Sequence, residues 1–215
     1  MSSSNVVALV MAAGYSRRFG ERDKRSVHLA DGRSLLSASV ALAEQAFPLL
    51  RVAIRAEDDV VMLGLAEGTP LIRLHQAHLG LGASIAEAVR ALSSDTRLNR
   101  VDAVALLLGD MPWIKQKTLL SLQRATTRDT IVRPCHAGQQ GHPVLFGRAL
   151  WPALEALGDP IGAKDIGIKD IGAKDIIRRH AAQYREYAVQ DAGTLMDIDV
   201  PADLATPGLF TPDEG

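Results

Sequence analysis

The sequence predicts an α/β protein built on an open, mostly parallel β-sheet with helices on both faces. Two apolar runs, at residues 6–11 and 101–108, lack polar alternation, which is typical of strands buried on both faces. Segments with helical spacing of apolar residues separate such runs along the chain. Since 47% of the 215 residues are hydrophobic, the chain can bury one core of ordinary size, and we predict a single domain over 1–215.

The elements follow one another in a regular order over the first two thirds of the chain. Strand 6–11, helix 34–47 and strand 49–54 form a first βαβ unit. The further predictions, in chain order, are helix 58–66, strand 71–74, helix 84–92, strand 101–108, helix 116–124, strand 142–146, helix 150–157 and strand 183–189. In such a fold, ligands bind beyond the carboxyl ends of the parallel strands.

A short internal repeat lies in the last third of the chain. The pentads IGAKD, IGIKD and IGAKD follow one another over residues 161–175. This period is too short for a solenoid unit, so we interpret the repeat as a local duplication or a loop insertion. A glycine every five residues disfavours one stable helix through the whole stretch.

Charge and cysteine content exclude several classes of protein. Lys and Arg number 24 against 25 Asp and Glu, so the net charge of -1 gives no general attraction for nucleic acid. Cys135 is the only cysteine, which excludes an internal disulfide and a thiolate-rich zinc site. Residues 1–5 lack a basic leader, and the apolar run 6–13 is shorter than a membrane span. We therefore expect a cytoplasmic protein with no membrane or nucleic-acid partner.

The segment directly after the first strand has the composition of a phosphate-binding loop. Small residues at Ala12, Ala13 and Gly14 allow close backbone approach to a ligand, and free N–H groups in such a turn form a nest for phosphate oxygens. Cationic side chains follow at 17–18 and 24–25. The combination suits a triphosphate, although an ordinary basic loop with solvated charges is the alternative. Neither the Rossmann nor the P-loop fingerprint is present.

Carboxylates after two strand-like runs are candidate metal ligands. Asp110 leaves the carboxyl end of the strongest strand, where a magnesium ion bridging phosphate oxygens would need one or two such ligands. Asp197 and Asp199 share one face of an extended segment and could hold a cation jointly with Asp110. The alternatives are a turn-capping role for Asp110 and a structural role for Asp197.

A glycine-rich turn and a histidine complete the candidate residues. The sequence GLGAS at 80–84 can place backbone against a flat base and start a helix capped by Ser84. The alternative is a helix start that needs Gly80 and Gly82 only for its turn. His142, before a proline at a strand start, could equally be a structural hydrogen-bonding group.

These motifs together closely resemble the nucleotidyltransferase family that includes molybdenum cofactor cytidylyltransferases and guanylyltransferases. Its signature L-A-A-G-x-S-x-R-M-G-(x)-x-x-K is met with Met11 and Phe19 as mild changes, and with these matches: Ala13, Gly14, Ser16, Arg18, Gly20 and Lys24. Further matches follow in order: GLGAS at 80–84, GDMP at 109–112, GHPV at 141–144, GAK at 172–174 and DIDVPAD at 197–203. The resemblance implies a three-layer α/β/α sandwich of the glycosyltransferase-A type, the fold of nucleotide-diphospho-sugar transferases.

The resemblance also implies a reaction, in which a nucleoside monophosphate is transferred from a triphosphate to a small acceptor and pyrophosphate is released. The implied residue roles are, for catalysis, Arg18 and Lys24; for nucleotide binding, Ala12, Ala13, Gly14, Ser16, Lys24, Gly80, Gly82 and Ser84; for magnesium, Asp110 and Asp199; and for the acceptor side, His142 and Asp197. In this family an alanine at the position of Ala13 accompanies CTP, whereas the GTP enzymes have L-A-G-G. The implied acceptor is a molybdopterin-type cofactor, with a client molybdoenzyme as a further partner.

Two alternatives to this function remain open at the level of sequence. One is transfer to a sugar phosphate or another small phosphate, and the other is a non-catalytic protein that escorts a pterin cofactor. One departure from the family pattern is the sequence RSVH at 25–28, where many relatives have an apolar run after the lysine. This departure bears on the acceptor or its orientation.

Overall fold

A mixed eight-stranded sheet runs through the molecule. The computed structural model describes residues 5–15, 19, 23–158 and 173–199. The strands are β1 (Val6–Met11), β2 (Leu49–Arg55), β3 (Leu71–Leu74), β4 (Ala103–Leu108), β5 (Ile131–His136), β6 (Gln139–Gln140), β7 (Val144–Gly147) and β8 (Tyr184–Ala188). Their order is β3-β2-β1-β4-β7-β5-β6, with β8 paired to β5.

Five α-helices lie among the described residues. They are α1 (Leu35–Ala46), α2 (Leu81–Ser94), α3 (Gln116–Ala125), α4 (Trp151–Glu155) and α5 (Ala173–Arg179). Short 3-10 turns flank several of them, including Lys24–Ser26 and Ala77–Leu79. The side chain of Ser34 caps α1 by accepting a hydrogen bond from the N–H of Ser37, and Phe47 ends that helix.

The strands of the first half run in one direction. β1 pairs in parallel with β2 and with β4, and β2 pairs in parallel with β3. β7 then runs antiparallel to both β4 and β5, β6 runs antiparallel to β5, and β8 pairs in parallel with β5. The prediction of a mostly parallel α/β sheet is confirmed, with an antiparallel part at one end.

Alternating side chains of β1 divide the core into two layers. Val6, Ala8 and Val10 face a cluster that includes residues of α1 and α3. The odd-numbered side chains, such as Val7 and Leu9, face a second cluster with residues of α2, α4 and α5. Because both faces of β1 are covered, its apolar run needs no polar alternation, and the architecture is the three-layer α/β/α sandwich.

The predicted helix over 58–66 is wrong, because this segment consists of turns. The Asp58 side chain accepts hydrogen bonds from the N–H and guanidinium of Arg55, which holds the chain in a turn directly after β2. Gly64 has a φ of 69°, a conformation outside the helical region. Val61 and Met62 lie exposed, so the apolar spacing of this segment does not mark one buried face.

Further elements differ from the sequence prediction. β5, β6 and α5 have no counterpart in it, and α2 begins at Leu81 rather than at Ser84. Of the pentad repeat, residues 161–172 lie outside the described part of the chain, whereas its last three residues begin α5. None of the helices in the described ranges has both the length and the hydropathy to cross a membrane.

A tight backbone contact at Gly193 gives a stability prediction. A Cβ at this position would meet the carbonyl oxygen of Trp113 at 2.1 Å, so Gly193→Ala forces two backbone segments apart. We expect the free energy of unfolding, measured by urea denaturation, to fall by about 1–3 kcal/mol. Gly14→Ala is the matched control, since a Cβ there meets no described atom within 4 Å. Equal stability of the two variants would contradict the proposed packing constraint.

Candidate active site

The candidate site forms where β1 and β4 end side by side. Met11 is in register with Leu108, so the residues that follow both strands emerge at the same edge of the sheet. The N–H of Gly109 donates to the Met11 carbonyl at 3.0 Å. A Cβ on Gly109 would lie 3.1 Å from the Ala12 side chain, so the small residues here allow the two turns to touch.

A cavity of about 500 Å³ opens at this edge. It is lined by Met11, Ala12, Ala13, Gly14, Tyr15, Lys24, Arg25, Ala77, His78, Leu79, Gly80, Leu81, Ser84, Leu108, Gly109, Asp110 and Asp199. Eight residues that the sequence singled out for nucleotide or metal binding are among them: Ala12, Ala13, Gly14, Lys24, Gly80, Ser84, Asp110 and Asp199.

The Lys24 ammonium lies between the two candidate metal ligands. Its Nζ donates to Asp110 Oδ2 at 2.7 Å and to Asp199 Oδ1 at 3.0 Å. The third donor goes to the carbonyl oxygen of Ile198 at 3.1 Å. Burial lowers the pKa of Lys24, but the hydrogen bonds and charges of the two carboxylates outweigh it and leave the pKa above its usual value. The lysine therefore stays charged at neutral pH.

Asp199 is brought to the cavity by the segment that precedes it. The N–H of Ile198 donates to the Asp110 carbonyl at 3.1 Å, which ties this segment to the turn after β4. The Ile198 side chain is fully buried against Phe19 and Leu35. Phe19 thus acts as an apolar anchor below the site.

The carboxylates fit a hard divalent cation. Among the described residues, Asp110 Oδ1 is buried and has no hydrogen-bond partner, so one ligand oxygen is not used by the protein. No group of three or more His, Cys, Asp or Glu within the described ranges could hold a metal by itself. Two protein carboxylates completed by substrate oxygens are the arrangement typical of magnesium in phosphate-handling sites.

The loop after β1 leaves room for a ligand at Gly14. This residue is exposed, lines the cavity, and has open space where its Cβ would be. No packing contact within the described chain therefore requires glycine there. Ser16, Arg17, Arg18 and Gly20, which belong to the same predicted loop, lie outside the described residues.

The glycine-rich turn at 80–84 is compatible with both alternatives considered for it. Gly80 has a φ of 110° and precedes the first residue of α2, so this conformation favours glycine for structural reasons, while Gly80 also lines the cavity. Ser84 is not the N-cap that the sequence predicted, because α2 starts three residues earlier and the Ser84 hydroxyl donates to the Gly80 carbonyl. Gly82 is buried within α2 and is absent from the cavity lining.

Arg25 differs from the expectation that its charge serves a phosphate. Its guanidinium is buried and donates to the carboxylates of Asp23 and Asp58 and to the carbonyl of Ala12. These partners neutralise the charge within the protein. Among the cations predicted for this loop and described by the structure, Lys24 lies closest to the candidate metal ligands.

His142 and Asp197 do not line this cavity. The His142 backbone N–H donates to Thr194, and its Nδ1 is buried without a partner in the described part of the chain. Burial lowers the pKa of His142 to about 4, with the charges of Arg133 and Lys174 adding to the effect and Asp197 opposing it. At neutral pH the imidazole is neutral, so it can act as a hydrogen-bonding group but not as a cation.

Three large exposed residues of the cavity lining were missed by the sequence argument, as were Ala77 and His78. Tyr15, Leu79 and Leu81 are large and exposed, and all three line the cavity. The available signal was their position, because each of them flanks a glycine that had already been singled out. Exposed apolar side chains at a cavity mouth suit a flat or apolar part of a ligand.

Comparison with known proteins identifies the family of the chain. The sequence profile of the MobA-like NTP transferase domain matches residues 8–184. The chain belongs to this family. As a MobA-like NTP transferase domain, it is similar to the bifunctional protein GlmU of Sphingopyxis alaskensis, with 24% identity over 146 residues that cover 67% of the chain and 31% of that protein. The chain therefore spans about a third of the length of this curated relative.

Solved structures confirm the fold of this MobA-like NTP transferase domain. Rv0371c from Mycobacterium tuberculosis H37Rv has a TM-score of 0.74 and 25% identity, covering 94% of this chain and 96% of its own. Its manganese complex gives a TM-score of 0.70 at 24% identity, covering 93% and 96%. A CMP:2-keto-3-deoxy-manno-octonic acid synthetase complexed with CTP has a TM-score of 0.65 at 14% identity, covering 94% and 95%, which bears on the fold alone.

The position of Lys24 predicts competition with a divalent cation. An ammonium 2.7 Å and 3.0 Å from the two carboxylates repels any cation bound by the same groups. In Lys24→Met we expect Mn²⁺ affinity, measured by electron paramagnetic resonance without nucleotide, to rise about tenfold, which corresponds to only ~1.4 kcal/mol of Coulomb repulsion. Lys115→Met, which removes an exposed lysine, is the control. Unchanged or weaker Mn²⁺ binding in Lys24→Met would argue against shared ligands.

Burial of neutral His142 predicts a loss of stability in mild acid. Since its pKa in the folded protein is about 4, below that of an unfolded histidine, protons bind the unfolded state first as the pH falls. We expect the wild type to lose about 2 kcal/mol of unfolding free energy between pH 7.5 and 5 that His142→Gln does not lose. His75→Gln, at an exposed histidine, should lose stability like the wild type. Parallel curves for all three proteins would refute the assignment.

Proposed function

We propose that this MobA-like NTP transferase domain is a magnesium-dependent nucleotidyltransferase that transfers CMP from CTP to a molybdopterin-type acceptor. The observation that carries the proposal is the contact of Lys24 with Asp110 and Asp199 at a cavity of about 500 Å³. A carboxylate pair able to bind a cation and a lysine ammonium, at a cavity of this volume, are groups that phosphoryl transfer needs.

In the proposed reaction an oxygen of the acceptor phosphate attacks the α-phosphorus of the triphosphate. The bond between that phosphorus and the bridging oxygen to the β-phosphate breaks, and pyrophosphate leaves with the electron pair. An acceptor phosphate is already ionised, so no strong general base is required. The titratable groups of the cavity lining among the described residues are Tyr15, Lys24, Arg25, His78, Asp110 and Asp199.

The residues of the cavity divide this work among them. Asp110 and Asp199 would hold magnesium, which when bound supplies positive charge to the phosphate oxygens. Lys24 carries the charge that can follow the departing pyrophosphate, since its ammonium sits on a flexible stem with three rotatable donors. The backbone at Ala13 and Gly14 would cradle the phosphates, where the open space beside Gly14 permits close approach. Arg18 is assigned to the same task on the family motif alone.

The choice of CTP rests on Ala13, where the guanosine enzymes of the family have glycine. A contact between Ala13 and the bound nucleotide is supported by the cavity lining, which includes Ala13 together with Gly80 and Ser84. His142 and Asp197, which lie outside the cavity lining, are assigned to the acceptor side on the family motifs alone.

A sugar-type acceptor is the second candidate. This alternative covers sugar phosphates and other small phosphates, and the fold is shared with a CMP:2-keto-3-deoxy-manno-octonic acid synthetase complexed with CTP. The escort alternative predicts nucleotide or pterin binding without chemistry. Pyrophosphate release is measured with CTP, GTP and UTP, each offered with molybdopterin and with a panel of sugar phosphates. Release from CTP with molybdopterin supports the proposal, and release only with a sugar phosphate supports the second candidate. If nucleotide binds but no acceptor gives pyrophosphate, the proposal is overturned in favour of the escort alternative.

Asp110→Asn tests the metal role directly. Loss of one ligand charge removes stabilisation that is needed mainly in the transition state, so kcat for pyrophosphate release should fall by at least about a hundredfold. The melting temperature should remain close to that of the wild type, since an amide oxygen can still accept the hydrogen bond from Lys24, which also keeps Asp199 as an ionic partner. Asp102→Asn, at an aspartate before β4 that pairs with Arg128, is the control and should keep its activity. Wild-type kcat in Asp110→Asn would remove Asp110 from the mechanism.

A further inference from the structure

Four charged side chains beside the cavity form a closed network. Arg25 makes a bidentate contact with Asp58, with Nη1–Oδ2 at 2.6 Å and Nη2–Oδ1 at 2.7 Å. Arg25 also contacts Asp23, with Nε–Oδ1 at 2.9 Å and Nη2–Oδ2 at 2.5 Å. Arg55 contacts the same two carboxylates, with Nε–Oδ1 of Asp58 at 2.9 Å and Nη2–Oδ2 of Asp23 at 2.8 Å. We call Asp23, Arg25, Arg55 and Asp58 the arginine–aspartate ring.

The ring contacts the loop after β1 at both of its described ends. Nη1 of Arg25 donates to the Ala12 carbonyl at 2.5 Å. The guanidinium of Arg55 lies 4.9 Å from the centre of the Tyr15 ring, within cation–π range. The N–H of Ala12 is already bonded to the carbonyl of Ala53 on β2. The direction in which the following N–H groups point is therefore set by contacts outside the loop.

The same ring fixes the backbone at Lys24. Oδ1 of Asp23 accepts a hydrogen bond from the N–H of Arg25 at 3.0 Å and so caps the turn Lys24–Ser26. Lys24 lies between two members of the ring in sequence, while its ammonium reaches Asp110 and Asp199. Both candidate phosphate-binding groups, the loop and the lysine, thus depend on one set of ion pairs.

Arg25 has no N–H left for a ligand in this arrangement. Its Nε donates to Asp23, its Nη1 to Ala12 and Asp58, and its Nη2 to Asp23 and Asp58. These are the five N–H groups of a guanidinium. A buried ion pair is weak evidence for stability, because desolvation of the charges offsets much of their attraction. The contacts of the ring with the loop and with the turn of Lys24 indicate a role in positioning these two segments rather than in overall stability.

We propose that Arg25, held by Asp58, is a positioning residue that orients the phosphate-binding loop and Lys24 without contacting the substrate. This rests on the proposed function, because it presupposes that the cavity binds a polyphosphate. The arginine stands in the segment 25–28, where the sequence departs from the apolar run of many relatives. On this proposal, the difference from the relatives at 25–28 orients the groups that bind the triphosphate and does not determine which acceptor is used.

The matched control is a second arginine–aspartate pair on the same strand as Arg55. Arg51 contacts Asp95 with side-chain exposures of 11% and 15%, and Asp95 keeps Arg97 as another partner when Arg51 is removed. In the same way Asp58 keeps Arg55 when Arg25 is removed. Each of the two substitutions, Arg51→Met and Arg25→Met, therefore removes one guanidinium from an aspartate that keeps a second arginine partner. Only Arg25 contacts the loop after β1.

The experiment measures binding of inorganic pyrophosphate and of cytidine by calorimetry to the full chain. In Arg25→Met, pyrophosphate affinity should fall at least about tenfold, because the loop N–H groups and Lys24 lose the contacts that preorganise them for phosphate oxygens. Cytidine affinity should change less than twofold, and Arg25→Lys should fall between Arg25→Met and the wild type because it keeps charge without the bidentate contact. Arg51→Met should bind pyrophosphate like the wild type.

The outcomes separate this inference from the proposed function. Wild-type pyrophosphate affinity in folded Arg25→Met overturns the positioning role alone, as does an equal loss in Arg51→Met. No pyrophosphate or nucleotide binding to the wild type overturns the proposed function, and the inference with it. If Arg25→Met does not fold, Asp58→Asn is used instead, where weakened pyrophosphate binding supports the role and unchanged binding refutes it.

Discussion

The site depends on one ammonium group that joins three distant parts of the chain. Asp110 and Asp199 are held close together at the edge of the sheet, and two carboxylates in such a position repel each other. The Lys24 side chain, 14% exposed, supplies the opposite charge and uses its third donor on the Ile198 carbonyl. Because these contacts are electrostatic, a ligand with a higher negative charge can compete with the two carboxylates for the lysine.

The sheet explains why these groups meet. Parallel pairing of β1 with β4 brings the turns after both strands to one edge, and Gly109 allows their backbones to approach. β7 runs antiparallel between β4 and β5, and the chain then returns through β8, which is parallel to β5, to the segment of Asp199. Small residues and one buried isoleucine, Ile198, are sufficient to place the acidic side chain, because the backbone of this segment bonds directly to Asp110.

The parts of the fold that the sequence predicted are those with a simple physical signal. β1 is a pure apolar run buried on both faces, and α1 has an unambiguous serine cap at Ser34. β5 gave no such signal because it contains a buried arginine, Arg133, and a proline, Pro134. Arg133 is tolerated there because its guanidinium donates hydrogen bonds to Gly141 and Gln140. Both partners lie outside β5, so the residues of the strand itself do not indicate the pairing.

The candidate site was predictable where residue type alone restricts the chemistry. Gly14, Lys24 and Asp110 could be singled out because few other residues suit phosphate or metal contacts. The sequence could not reveal that Arg25 forms an ion pair with Asp58. That pairing depends on the turn after β2, a segment whose apolar spacing had predicted a helix. Tertiary ion pairs of this kind decide which cations remain for a ligand, and no local pattern encodes them.

The link between Lys24 and Asp199 spans 175 positions, so the candidate pocket is completed late in synthesis. The segments of β1 to β4 emerge from the ribosome well before the acidic partner of the lysine. A nascent chain can therefore pair these strands while Asp199 is still missing from the pocket. The full set of charged groups is assembled only when the segment of Asp199 docks.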